Sequence, residues 1–234
     1  MLNRREFLGV GGAVLTGLIF PSTLFGEDGK EAVEEKDFAL EKARRISAPN
    51  YRMTDDGTLI FNSNGFILGD RYYTVYHGIH NLTTGKQLRN PIIYGKPSEI
   101  IAASARNDVA LFGIPEELKR YYNDCDFNRN FNIDKNQEIL IYGIHPEWLS
   151  TAGERILRGI ITDVSCSVFN HYLKCNVSGY ACFEGNVDFG DSGSVVLDAK
   201  SGEPLGIVTN KERDNSGYGY FAPMWKFALL LDDL

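Results

Sequence analysis

The stretch Gly190-Asp191-Ser192-Gly193-Ser194, running into the apolar Val195–Leu197, decides how the rest of the chain is read. A nucleophilic serine needs an exposed hydroxyl beside backbone N–H groups that can hold a developing oxyanion. Glycines on either side of Asp191-Ser192 permit the tight turn that aims such N–H groups the same way. Alone, these five residues also describe an ordinary surface turn, so their meaning depends on what accompanies them.

Two earlier segments accompany them. Thr74-Val75-Tyr76-His77 places a histidine at the end of a strand, and Arg106-Asn107-Asp108-Val109-Ala110-Leu111 places an acid directly before an apolar strand. Singly, His77 reads as a structural histidine and Asp108 as a strand-entry residue. Together they give the chain order His77, Asp108, Ser192, which is that of the chymotrypsin-type triad. The α/β-hydrolase order needs a histidine after the serine, and none follows Ser192. The G-x-S-x-G elbow fails as well, because Ser194 holds its last position. The subtilisin order calls for an acid before the histidine and a different serine context.

Outward from these segments the pattern is short strands and turns. Thr58–Phe61 and Phe66–Leu68 read as two strands joined by an Asn-Gly turn, and Tyr72–Val75 as a third. Further apolar runs lie at Pro91–Tyr94, Val109–Ile114, Glu138–Tyr142, Ile156–Val164, Tyr172–Val177, Val195–Leu197 and Leu205–Val208. Such spacing, with Gly, Asn and Asp between the runs, predicts an all-β barrel or sandwich. Helices are expected only near the ends, notably at Met224–Leu231. A polar, Asn-rich break near 124–135 divides the domain into halves.

On these residues the chain resembles the trypsin-like serine peptidases, particularly the bacterial branch of heat-shock-type periplasmic peptidases. Asn64–Leu68 with Tyr73–Ile79 resembles the family's segment around the histidine, Asn107–Leu111 that around the acid, and Gly190–Ser194 the serine loop. Gly202–Val208 and Tyr220–Pro223 resemble the strands that follow. The likeness covers about Thr58 to Trp225. It implies an all-β fold of two six-stranded antiparallel barrels with a short C-terminal helix and the site in the cleft between the barrels. Ser192 would then attack the scissile carbonyl, His77 would take its proton, and Asp108 would fix the imidazole. The N–H groups of Gly190 and Ser192 would form the oxyanion hole. The same likeness puts Asn186 at the floor of the substrate pocket, with Val208, Thr209 and Asn210 along one wall. Two positions depart from the family: Ser194-Val195 replaces the usual Gly-Pro, and Gly78 stands where a small apolar residue or cysteine is common. His80, His145 and His171 have no motif context and read as surface or structural.

The first residues belong to no fold. Arg4-Arg5-x-Phe7-Leu8 precedes an apolar run from Gly9 to Phe20, a leader too short for a membrane span. It resembles the twin-arginine export signal of bacteria, which moves folded proteins, and so implies the twin-arginine machinery as a partner. The expected divisions are a leader at 1–26, a charged linker at 27–50 that reads either as solvated chain or as a short amphipathic helix (Ala32, Phe38, Leu40, Ala43), and the peptidase domain at 51–234. Arg45-Ile46 has the form of a zymogen activation cut, but the following Ser47-Ala48-Pro49 favours an exposed linker. A periplasmic or secreted protein is expected, membrane-anchored if the leader is not cleaved and without a stable span once it is.

Export also bears on Cys125, Cys166, Cys175 and Cys182, which would reach an oxidising compartment. Cys166 and Cys175 flank a segment long enough for a hairpin and are the easiest pair to join, with free buried thiols as the alternative. No C-x-x-C pair or zinc spacing occurs, and neither metal nor cofactor is expected. The 234 residues hold 24 Lys+Arg against 31 Asp+Glu, a net charge of -7, which argues against nucleic acid as a partner. With 43% hydrophobic residues, 14 Phe and 12 Tyr, disordered and collagen-like chains are excluded. The reading is an exported serine endopeptidase acting on protein or peptide. The alternative is a catalytically silent member of the fold that binds peptides or a partner protein, and an esterase or acyltransferase would use the same serine chemistry.

Overall fold

Strands that are apolar at every position must bury both faces, because successive side chains point to opposite sides. In Gly65–Leu68 and Val109–Gly113 this alternation feeds two separate cores. Phe66, Leu68, Val109 and Leu111 face one, and Ile67, Ala110 and Phe112 face the other. Glu138–His145 and Val195–Asp198 behave likewise: Leu140, Tyr142, Val195 and Leu197 join the first core, while Ile139, Ile141 and Val196 enter a third. The first core is therefore the seam between two β halves, and each half keeps a core of its own.

The computed structural model describes residues 37–53, 56–80, 91–122, 132–146, 153–170, 174–211 and 217–232, the side chains of 210 and 211 excepted, all within one compact unit, Lys36–Leu234. The elements in order are α1 (Phe38–Ile46), β1 (Asn50–Met53), β2 (Leu59–Ser63), β3 (Gly65–Leu68), β4 (Arg71–Thr74), β5 (Ile92–Ile93), β6 (Lys96–Pro97), β7 (Ile100–Ser104), β8 (Val109–Gly113) and α2 (Glu116–Tyr122). Then follow β9 (Glu138–His145), β10 (Gly153–Asn170), β11 (Cys175–Glu184), β12 (Val195–Asp198), β13 (Pro204–Lys211), β14 (Tyr218–Pro223) and α3 (Trp225–Asp232). The second half closes a six-stranded barrel in the order β10-β11-β14-β13-β12-β9. The first half sets its eight strands in two sheets, β2-β1-β5-β6 and β3-β4-β8-β7. None of the described helices is long and apolar enough to cross a membrane. The export leader, Cys125 and His171 lie outside the described residues.

Four expectations change. First, residues 38–46 take the helical alternative, and the helix is docked on the domain rather than solvated. Asp37 caps α1 by accepting from the Leu40 N–H, and Arg44 and Arg45 sit in the last turn, where cations favour the helix dipole. Ala39, Ala43 and Ile46 lie on one face and are buried in the seam core, so Arg45-Ile46 belongs to a packed helix. Second, β2 and β3 do not form a hairpin. β2 pairs with β1 and β3 with β4, and buried Asn64 is the joint between two sheets. Third, α2 adds a helix within the chain, its Leu118 and Tyr122 closing the first half's core.

Fourth, Cys166 and Cys175 are far apart. In the β10–β11 hairpin Cys166 lies opposite Tyr180 and Cys175 opposite Asn170. About five residues of strand separate them, roughly 16 Å at ~3.3 Å per residue, beyond the ~7 Å that a disulfide spans. Cys166, Cys175 and Cys182 are all free thiols.

Candidate active site

Strand pairing brings the histidine and the acid together. β4 pairs with β8, with Thr74 opposite Ala110, so the residues just after β4 and just before β8 share one end of the sheet. His77 occupies a 3₁₀ turn over Tyr76–Gly78, and Asp108 enters β8 with φ of 50°. That left-handed conformation is costly for a residue with a Cβ and persists only where its surroundings hold it.

The contact is threefold. Asp108 Oδ2 accepts from His77 Nδ1 at 2.8 Å, Oδ1 lies 3.1 Å from the same nitrogen, and Oδ1 also accepts the His77 backbone N–H at 3.0 Å. An ionised carboxylate only accepts, so Nδ1 carries the ring proton and Nε2 is the basic nitrogen of the neutral ring. Burial works against protonation of His77, yet the charge of Asp108 and its hydrogen bond outweigh burial and leave the imidazole above its ordinary value.

Groups that the motifs did not mark hold the Asp108 turn. Asn170 Nδ2 donates to the Ala105 carbonyl at 2.7 Å, and Lys226 Nζ donates to Asn107 Oδ1 at 3.2 Å and to the Ser178 carbonyl at 3.1 Å. Lys226 is 1% exposed, and its ammonium lies 4.2 Å from the Tyr180 ring centroid and 4.9 Å from that of Trp225. Burial, with Arg106 nearby, lowers it to about 8. A lone charge inside the otherwise apolar Trp225–Leu231 was its one sequence signal.

The serine turn is fixed peptide by peptide. Gly190 and Gly193 both have positive φ, at 103° and 82°. Asn64 Nδ2 donates to the Gly190 carbonyl at 2.9 Å, the Asn64 N–H donates to the Ser192 carbonyl at 2.9 Å, and Asn64 Oδ1 accepts from Ile144 N–H at 2.7 Å. The Ser194 N–H donates to the Asp191 carbonyl and the Gly193 N–H to the Val208 carbonyl. A Cβ on Gly193 would lie 2.0 Å from the Asn64 oxygen, so glycine is required there.

The same corner holds His77. Thr74 Oγ1 donates to the Asn64 carbonyl at 2.6 Å, and Ser63 Oγ lies 3.0 Å from Thr74 Oγ1 and accepts from Asn50 Nδ2 at 2.6 Å. Ser63 in turn fills the space over Gly78, where a Cβ would meet its Oγ at 2.3 Å. One buried polar chain thus links the residue after His77 to the backbone of Ser192. Both family departures find their reason here: Gly78 makes room for Ser63, and the bulk of Ser194 is accepted because Gly143 has no side chain, its Cβ position lying 2.1 Å from Ser194 Oγ.

The residues expected around the substrate pocket differ in burial. The Asn186 side chain is exposed, and its carbonyl accepts from Arg155 Nη2 at 2.8 Å. Val187 is the inward residue, packed with Val208 and Phe183 in the barrel core. Strand alternation places Val208 with its backbone bordering the serine turn and its side chain pointing inward. Thr209 is buried, with Oγ1 donating to the Tyr220 carbonyl at 3.3 Å. The Asn210 side chain lies outside the described residues.

The chain matches no protein-family model and no curated protein. Among solved structures it is similar to the Rv3671c protease of M. tuberculosis in its active form, with TM-score 0.64 and 16% identity over 94% of this chain and 93% of that one. The MamO protease domain of Magnetospirillum magneticum aligns with TM-score 0.60 and 11% identity, covering 81% of this chain and 97% of that one. The serine endoprotease of Yersinia pestis aligns at 0.58 and 16%, covering 83% and 65%. The fold is therefore chymotrypsin-like, two β halves followed by a short C-terminal helix.

Proposed function

We propose that this protein is an exported serine endopeptidase working through His77, Asp108 and Ser192. The observation that carries the reading is the threefold His77–Asp108 contact, at a corner to which Asn64 also ties the Ser192 turn. His77 Nε2 takes the proton of Ser192 Oγ as that oxygen bonds to the scissile carbonyl carbon. The same proton passes to the leaving amine as the C–N bond breaks, and a water hydrolyses the acyl-enzyme by the reverse exchange. The N–H groups of Gly190 and Ser192 hold the oxyanion. The fold shared with three proteins described as proteases supports the reading at the level of architecture. Export through the twin-arginine route to the periplasm or medium rests on Arg4, Arg5 and the apolar run after them.

The test is labelling by a fluorophosphonate together with casein hydrolysis. The parent protein should do both, and Ser192→Ala should do neither, with a loss of about 10⁶ in kcat. Equal hydrolysis by Ser192→Ala overturns the assignment. Changing Arg4 and Arg5 to Lys should retain the protein inside the cell, and normal export of that variant overturns the export reading.

A further inference from the structure

We infer that His145 is a positioning residue for the oxyanion turn, acting through Asp191; this rests on the peptidase reading above. Asp191 separates Gly190 from Ser192, the two residues whose N–H groups would hold the oxyanion. Its side chain and that of His145 are both 0% exposed, with His145 Nε2 2.8 Å from Asp191 Oδ1. A carboxylate without water needs donors on both oxygens. Here the second oxygen, Oδ2, accepts the Asp188 N–H at 2.7 Å, and Arg155 Nε, itself buried, lies 3.5 Å from Oδ1.

The pair fixes direction as well as charge. His145 ends β9, whose neighbours are β10 and β12, and the preceding Ile144 N–H donates to Asn64 Oδ1. The imidazole therefore stands on a central barrel strand and reaches up to the turn. Pulled inward at Asp191, the turn keeps its 191–192 peptide with the carbonyl accepting from Ser194 N–H. In a trans peptide the Ser192 N–H lies in the same plane as that carbonyl and points the opposite way, so the same bond fixes its direction. Without the His145 bond, a desolvated carboxylate would have to leave the interior, and the Gly190–Gly193 backbone that carries it would move with it.

Two isosteres separate this role from bulk packing. Gln places an amide N–H near the position of imidazole Nε2, whereas Asn reproduces only Nδ1. In purified full chain, His145→Asn should lower kcat and the fluorophosphonate labelling rate by about 10² or more, the effect of losing an oxyanion donor, with KM within a few-fold. His145→Gln should stay within about tenfold of the parent, since the Nε2-like donor is kept. Asp191→Asn, isosteric with the wild-type side chain, guards against a His145→Asn chain that does not fold. It should lose kcat by tens of fold or more at near-parental KM and melting temperature. A parent that neither labels nor cleaves removes the peptidase reading, and this inference with it. A labelling parent whose His145→Asn and Asp191→Asn variants keep its kcat overturns the positioning role alone. So does an equal loss in the Asn and Gln variants that follows the loss of folded protein.

Discussion

The side-chain amide of Asn64 and the carbonyl of Gly190 form a 2.9 Å hydrogen bond that joins the two β halves directly at the serine turn. Two elements converge on that amide, because its oxygen accepts from Ile144 on β9. Asn64→Ala leaves both partners unpaired in a part-buried place, at up to about 1–3 kcal/mol for each. The expected result is a melting temperature lower by several degrees together with a fall in kcat. Denaturant unfolding and casein turnover measure both, and a variant equal to the parent in each contradicts the clamp.

Under the proposed function, His77 should set the acid limb of activity. Its imidazole must be neutral to act as a base, and Asp108 holds it above the ordinary value of about 6.5. The profile of kcat/KM against pH should therefore rise through a midpoint above ~6.5. Asp108→Asn should move that midpoint down and lower kcat by about 10⁴, through the wrong imidazole tautomer. The stability sign follows from the same shift. The charged His77–Asp108 pair stabilises the fold fully below the unfolded value and loses that contribution as pH climbs through the folded one. A midpoint unmoved in Asp108→Asn sinks this account.

Lys226 has the opposite sign. Burial lowers it to about 8, so between that value and ~10.4 the unfolded chain binds the proton and the folded chain does not. Parent stability should rise with pH across this window relative to Lys226→Met. At pH 7 Lys226→Met should be less stable by about 1–3 kcal/mol, since it leaves Asn107 Oδ1 and the Ser178 carbonyl unpaired. Thermal melts of both proteins from pH 7 to 10 provide the measurement, and a constant difference between them contradicts it.

Ser194 and Gly193 make a contrasting pair of tests. Among the described residues Ser194 Oγ is buried without a hydrogen-bond partner, so Ser194→Ala should leave stability unchanged or raise it by up to about 1 kcal/mol. Gly193→Ala meets the Asn64 backbone and a positive φ together, and should abolish labelling of Ser192. Soluble, reactive Gly193→Ala protein would falsify the packing described here.

The sequence by itself determined the fold class, and it marked His77, Asp108 and Ser192 as the candidate residues. Local patterns carry that information: glycines at left-handed positions around Ser192, a histidine just after β4, an acid just before β8, and apolar runs in the strands. It did not determine which strand pairs with which. The run through Asn62-Ser63-Asn64-Gly65 has the residues of a hairpin turn, yet Asn64 is a joint between sheets, because its amide is needed by Gly190 and Ile144 far away in the chain. The docking of α1, whose helical pattern was legible, was hidden for a related reason. Its charged residues look like solvated linker until Ala39, Ala43 and Ile46 find the seam between the halves. His145, Lys226 and Asn170 carry no local motif at all. A buried polar group is recognisable only by its partner, and those partners, Asp191, Asn107 and the Ala105 carbonyl, lie tens of residues away in the chain. The tertiary structure decided these roles because the desolvation of a charge or an amide is set by what surrounds it in space.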